Sequence, residues 1–251
     1  MIPEFTRKLL VSILIIMAQA SLFSAVAEPP SWIDSLEYHY SVAARNYDIV
    51  LLQKSAEFIA RQPVEEQQKP QALLLLGLIY WRLELIAYCS DATAEMNRYG
   101  KLALEKLTEA ENAGADIYLT ASHKALASQL LAGQSLRTGA IYGPRAAAEL
   151  KKAQRANSQG YFSLLIEAIN VNQAPSFAGG SPEKAVLLLN ALAIRFPDSI
   201  DVKIHLADAF IKTGRTRDAA ALITPVTNAF PWNLLAGKIA VRLPGGKIQP
   251  E

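Results

Sequence analysis

The chain has 251 residues, of which 51% are hydrophobic and 19% charged, enough apolar material for a sizeable core in one or two domains. Its 25 basic and 23 acidic residues nearly cancel, to a net charge of +2, and this removes the electrostatic case for a nucleic-acid partner, which needs a clustered basic face. The single cysteine, Cys89, excludes an intramolecular disulfide, so the fold must stand on its core.

The N-terminus reads as a targeting segment. Arg7 and Lys8 precede an uncharged run over residues 9–27, with a strongly apolar centre at residues 9–18. Ala25 and Ala27 put small residues where a signal peptidase reads, and Glu28-Pro29-Pro30 follows. The pattern predicts a signal peptide over residues 1–27, cleavage after Ala27 and export to the periplasm. The competing reading is a retained anchor, in which case the membrane is met only through the uncleaved signal; Ser12, Gln19, Ser21 and Ser24 weaken it. Residues 28–243 are expected to form one helical domain and residues 244–251 a disordered tail.

Helical periodicity continues through the rest of the chain. Ser31 and Asp34 have the spacing of a capping box, ahead of an apolar stripe at Leu36, Tyr40, Ala43 and Ala44. A second helix carries Val50, Leu51, Ala56, Ile59 and Ala60, and Pro63 stops it. After a polar linker at residues 64–69, the run beginning at Pro70 is apolar on nearly every side, which predicts a helix buried on both flanks. Arg82 and Glu84 interrupt that run before it reaches membrane-spanning length. The next helix is predicted from Thr93 to Asn112, with Tyr99, Ala103, Leu107 and Ala110 on one face and Gly114 as a left-handed cap. A further helix is expected from about Ala115 to Arg137, with Cys89 earlier behaving as a buried small hydrophobe. Thr138-Gly139 and Tyr142-Gly143-Pro144 are expected to break the chain, with Pro144 opening a helix that runs to about Asn157. A short apolar helix over residues 161–171 leads to the longest irregular stretch, residues 173–182. Ser181 then caps a helix with Pro182 at its first position.

Residues 180–231 match themselves when shifted by 34: Gly180 falls on Gly214, Ala185 on Ala219, Leu189 on Ile223, Leu192 on Val226, Phe196 on Phe230 and Pro197 on Pro231. Such a period marks an array of helix–turn–helix units. Pro225 falls inside the last of these helices and is expected to kink or stop it. No stretch alternates apolar and polar residues between turns, so the fold class is all-α.

The repeat resembles the tetratricopeptide repeat. Leu206, Ala207, Phe210, Gly214, Ala219, Ile223 and Pro231 stand at its characteristic positions, and Gly77 and Tyr80 stand at those of an earlier first helix. The resemblance implies an α-solenoid of antiparallel helix pairs. A narrower likeness, carried by Gly143-Pro144-Arg145-Ala146, residues 164–169 and the segment Ala174-Pro175-Ser176-Phe177-Ala178-Gly179-Gly180, is to exported bacterial repeat proteins without assigned activity. More distantly the chain is similar to helical-repeat periplasmic partners of TRAP-type solute transporters.

No residue cluster declares a reaction. His39, His123 and His205 lie on three different predicted helices without metal-type pairing, and no nucleophile elbow or phosphate-binding loop is present, so neither catalysis, a metal nor a cofactor is expected. Lys151, Lys152 and Arg155 read as a solvated helix face. In repeats of this kind first helices line a groove, and the exposed side of the last one is expected to include Asp201, Ile204, His205, Asp208 and Lys212. That predicts a non-catalytic scaffold for a protein or peptide partner in the cell envelope, with exchange of Asp208 or Lys212 costing little stability. The alternative is a small-ligand-binding accessory of an envelope transporter or assembly system, with a pocket near Tyr80, Tyr88 and the loop holding Pro175, Phe177, Gly179 and Gly180.

Overall fold

A computed structural model describes residues 31–244, and among them the regular structure is entirely helical, with no strand. The expected signal peptide and residues 245–251 of the expected tail lie outside the described residues. The helices are α1 (Trp32–Asn46), α2 (Ile49–Ala60), α3 (Val64–Gln67), α4 (Pro70–Cys89), α5 (Thr93–Asn112), α6 (Ile117–Ala132), α7 (Leu136–Ala156), α8 (Tyr161–Gln173), α9 (Pro182–Arg195), α10 (Ile200–Lys212), α11 (Thr216–Ala229) and α12 (Leu234–Ala240), with a 3-10 turn at Ser176–Ala178.

Among the described residues the chain divides after Leu36 into two units. In the first, the Asp34 N–H donates to Ser31 Oγ at 3.2 Å and the Ser31 N–H donates to Asp34 Oδ2 at 2.9 Å, the reciprocal pair that the spacing predicts.

In the second unit the helices pack as consecutive pairs: α4 on α5, α6 on α7, α8 on α9 and α10 on α11. The first helices also touch one another in succession, α4 on α6, α6 on α8 and α8 on α10. The short α12 packs on α10 and α11 and returns to α4. Small residues permit this closeness. A Cβ on Gly77 would lie 2.6 Å from Leu107 Cγ, so only glycine lets α4 and α5 meet there. Ala103, Leu107 and Ala110 are fully buried on the facing side of α5, and Ala207 and Ala219 do the same between α10 and α11. Lys124 on α6, 4% exposed, ties three helices together through Glu111 of α5 at 2.6 Å and Glu149 of α7 at 2.8 Å. Lys152 also pairs with Glu111, so the basic strip on α7 is not wholly a solvated face.

Several boundaries fall where the sequence places them. Pro70 opens α4, α5 spans Thr93–Asn112, Gly114 has φ +91°, and the Ser181 hydroxyl accepts from the Lys184 N–H at 3.2 Å. Others do not. Helix α7 runs unbroken through Gly139, Gly143 and Pro144, and α11 runs unbroken through Pro225. In both cases the carbonyl that proline leaves without a donor, on Ala140 or Ala221, belongs to an exposed residue that water can serve. Buried faces on Ala146, Leu150 and Ala153, and on Ala219, Ile223 and Val226, hold each helix on course. The true start of α7 is a Ser135–Thr138 capping box. The expected linker at residues 64–69 contains the short α3, and Cys89 is half-buried, its thiol pushed up to about 12 by burial.

The segment after α8 is a compact turn. The Gly180 N–H donates to the Pro175 carbonyl at 3.0 Å, and the Ser181 N–H to the Val171 carbonyl at 2.8 Å. Gly179 takes φ +87°, and a Cβ on Gly180 would collide with the Ala174 carbonyl, so each glycine of the pair has its own reason.

Candidate functional site

Because the first helices form one layer, residues at helical spacing on their inner sides converge. On α10 these are Asp201, His205, Asp208 and Lys212. On α4 they include Trp81, Arg82 and Tyr88; on α1 Tyr40, with Tyr47 just past its end; on α6 His123; on α8 Tyr161, Phe162 and Asn172. They form two adjoining centres.

The first surrounds Arg82. Its guanidinium carbon stands 4.9 Å from the Trp81 ring centroid and 5.5 Å from that of Tyr47, and the Tyr40 hydroxyl is its hydrogen-bond partner. Aromatic packing continues outward: Trp81 meets the His123 ring edge-on at 4.9 Å, His123 meets Phe162 at 4.8 Å, and Phe162 meets Tyr161 at 5.3 Å. Burial opposes the charge on Arg82, yet Tyr40, Tyr47 and Asp201 outweigh it and hold the pKa above its ordinary value. Burial lowers His123 to about 4, so at neutral pH its ring is uncharged, with Nδ1 donating to the Leu119 carbonyl at 2.8 Å. Burial likewise raises the Tyr40, Tyr47 and Tyr161 hydroxyls, which remain protonated. Tyr40 of α1, Trp81 of α4 and Tyr47 pack on Arg82, and Arg82, Trp81, Tyr40, Phe162 and His205 are each partly exposed.

The second centre is Asp208, 1% exposed. Its carboxylate accepts from Asn172 Nδ2 at 2.7 Å, from Gln173 Nε2 at 2.8 Å and from the Arg242 guanidinium. Lys212 Nζ lies 3.9 Å away and donates to the Asn172 carbonyl at 2.7 Å and to Gln173 Oε1 at 2.8 Å. Burial lowers the Lys212 pKa, with Arg242 adding to it and Asp208 opposing. Burial lowers His205 too, against Asp201 and Asp208, so between the two centres this ring is neutral at pH 7. The return of α12 completes the enclosure. Lys238 pairs with Asp91 at 2.6 Å and lies 5.1 Å from the Tyr88 ring centroid, and Tyr47 bonds the Leu235 backbone.

The α10 stripe thus comes together as a set, but not as an exposed groove: Ile204 and Asp208 are buried, while Asp201 is exposed. The exposed reading of Ile204 and Asp208 is corrected by α8, α12 and Arg242, which cover that side. The other expected cluster separates. Tyr80 stacks on Tyr99 at 6.3 Å and packs with Ala103, Leu104, Ala127 and Leu131, whereas Phe177 is 86% exposed in the turn. Tyr88 lies by Lys238, and the Pro175 carbonyl and the glycine pair serve the turn itself. Phe210 is buried under Arg215, whose guanidinium carbon lies 4.1 Å from its ring, Gly214 has φ +75°, and Pro231 follows the end of α11. In the sequence Arg82 reads only as an interruption of an apolar run, and the sequence reading does not single out Trp81 or Arg242. The usable signal was an arginine next to a tryptophan, two residues before a glutamate, in a largely apolar helix. Among the described residues no three His, Cys, Asp or Glu side chains are placed to hold a metal ion.

The arrangement defines an all-helical protein of consecutive helix pairs with a cluster of aromatic and polar side chains between its first helices. No protein-family model matches the chain, and no curated protein matches it.

Proposed function

We propose that this chain is an exported, non-catalytic helical-repeat protein of tetratricopeptide-like, solenoid design that binds a small ligand inside its first-helix layer, as an accessory of an envelope transporter or assembly system. The observation that carries the reading is the partial accessibility of Arg82, Trp81, Phe162 and His205 among packed helices. A peptide-binding scaffold is the weaker reading, because Asp208 is already engaged by Asn172, Gln173 and Arg242 and α12 packs across to α4. One observation favours an outer scaffold surface instead: Leu187 and Ile194 of α9 are 71% and 84% exposed.

A thermal-shift screen against small metabolites tests the proposal. A ligand at about 100 times its Kd adds about 2.7 kcal/mol, which raises the midpoint of a protein this size by about 5–10 °C. A blank screen, together with a protein recovered by crosslinking in cells through Leu187 or Ile194, replaces ligand binding with the scaffold.

A further inference from the structure

We infer that Arg82 takes the carboxylate of a small apolar organic acid and is the residue that reads its charge. The inference rests on the ligand-binding reading above and specifies its ligand class.

Arg82 is a cation packed against Tyr40, Trp81 and Tyr47, and among the described residues no carboxylate comes within 4.0 Å of it. Asp201, the acid that acts on it most directly, sits on an exposed position of α10 and forms no ion pair with it. Charges drawn out of water are normally paired, and a guanidinium offers five donors in a planar fork that matches a carboxylate. Tyr40 occupies one side of that fork. The Arg82 Nε and the adjacent Trp81 Nε1 are both buried without a hydrogen-bond acceptor, so donor capacity at this point exceeds what the protein satisfies. Against this stand the faces of Trp81 and Tyr47, which partly compensate the cation.

The surroundings suit an apolar body. Trp81 and Tyr47 pack on Arg82, and His123, Phe162 and Tyr161 continue the aromatic packing from Trp81; the histidines His123 and His205 are neutral at pH 7 and add no competing cation. A charge reader at one point and aromatic rings around it recognise a carboxylate head on a hydrocarbon or aromatic tail. They do not suit a sugar, which needs many paired hydroxyl partners, or a cation, which would meet Arg82.

Matched pairs of ligands test this on the whole purified chain: 3-phenylpropanoate against 3-phenylpropanol and octanoate against octanol, within a panel of straight-chain and aromatic acids and their alcohols. Thermal shift and calorimetry at neutral pH are the readouts. The acids should bind at least tenfold more tightly than their alcohols, and Arg82→Gln should abolish the difference while Arg82→Lys restores part of it. Acids and alcohols binding equally would overturn this inference and leave the ligand-binding reading standing. No shift from any pair would overturn it as well, and a blank wider metabolite screen would take the ligand-binding reading with it. The acid-to-alcohol ratio is measured on the unaltered protein, so an Arg82→Gln variant that fails to fold does not decide the outcome.

Discussion

Replacing Asp208 with alanine removes one carboxylate and strands three donors. Asn172 Nδ2, Gln173 Nε2 and the Arg242 guanidinium all converge on that side chain, with Lys212 Nζ at 3.9 Å. Asp208 is 1% exposed, so water cannot fill the place freely. The Arg242 and Lys212 side chains keep 39% and 26% of their surface exposed, so their surviving charges stay partly solvated and the cost, about 2–3 kcal/mol, falls below that of a fully buried pair. For a domain of this size each kcal/mol lowers the midpoint by about 2–4 °C, so the expected fall is about 5–10 °C. Asp208→Asn keeps one acceptor oxygen and should fall between the two. Thermal unfolding followed by circular dichroism at neutral pH gives the comparison. A double-mutant cycle with Arg242→Ala should show a coupling of about 1–3 kcal/mol, since the two groups touch. A fall of only a degree or two, as for an exposed aspartate, would mean that the cluster does not form and that the enclosure of α10 is wrong.

Three further outcomes follow from the geometry. Glu84 is fully buried with no partner for either oxygen, and burial holds its pKa well above the ordinary carboxyl value. The folded state therefore keeps a proton that the unfolded chain releases. Stability from this group is complete below the unfolded pKa and declines as pH rises above it, by about 1.4 kcal/mol per pH unit until the buried group ionises. Glu84→Gln should remove that slope and unfold at a higher temperature than wild type at pH 8; equal midpoints at pH 5 and pH 8 in both proteins would refute it. Gly180→Ala must displace the Ala174 carbonyl and lose the Gly180 to Pro175 hydrogen bond, at a cost of about 1–3 kcal/mol in denaturant titration, whereas a mobile loop would absorb the methyl without change. The Cys89 thiol, pushed up to about 12, should react with iodoacetamide at pH 8 on the order of a thousandfold more slowly than a free thiol, and at the ordinary rate in denaturant; fast labelling of the native protein would contradict its burial.

The fold was legible where a residue's local chemistry has one outcome. Pro70 and Pro182 open helices, Gly114 closes one, and the Ala103, Leu107 and Ala110 spacing names a buried face. Pro144 and Pro225 misled because their effect depends on whether the stranded carbonyl can reach water, a property of the tertiary surface. The same limit applies to the site. Periodicity groups Asp201, His205, Asp208 and Lys212 on one side of α10, but a polar stripe looks alike whether solvent or other helices cover it. Arg242 covers Asp208 from beyond the end of α12, and no local pattern joins residues 34 positions apart. Arg82 reads in isolation as an interruption of an apolar helix, and only the convergence of α1, α6 and α10 makes it a centre.

Paired helices find one another over short stretches of chain, so most of this molecule can assemble quickly and from either direction. The bond between Lys238 and Asp91 spans 147 residues, and Leu235 and Arg242 reach Tyr47 and Asp208 only from the far end of the sequence. A chain delivered N-terminus first therefore completes its pairs in order while its interior stays open to water. The contacts to Tyr47, Asp91 and Asp208 therefore form last, when the final dozen described residues arrive.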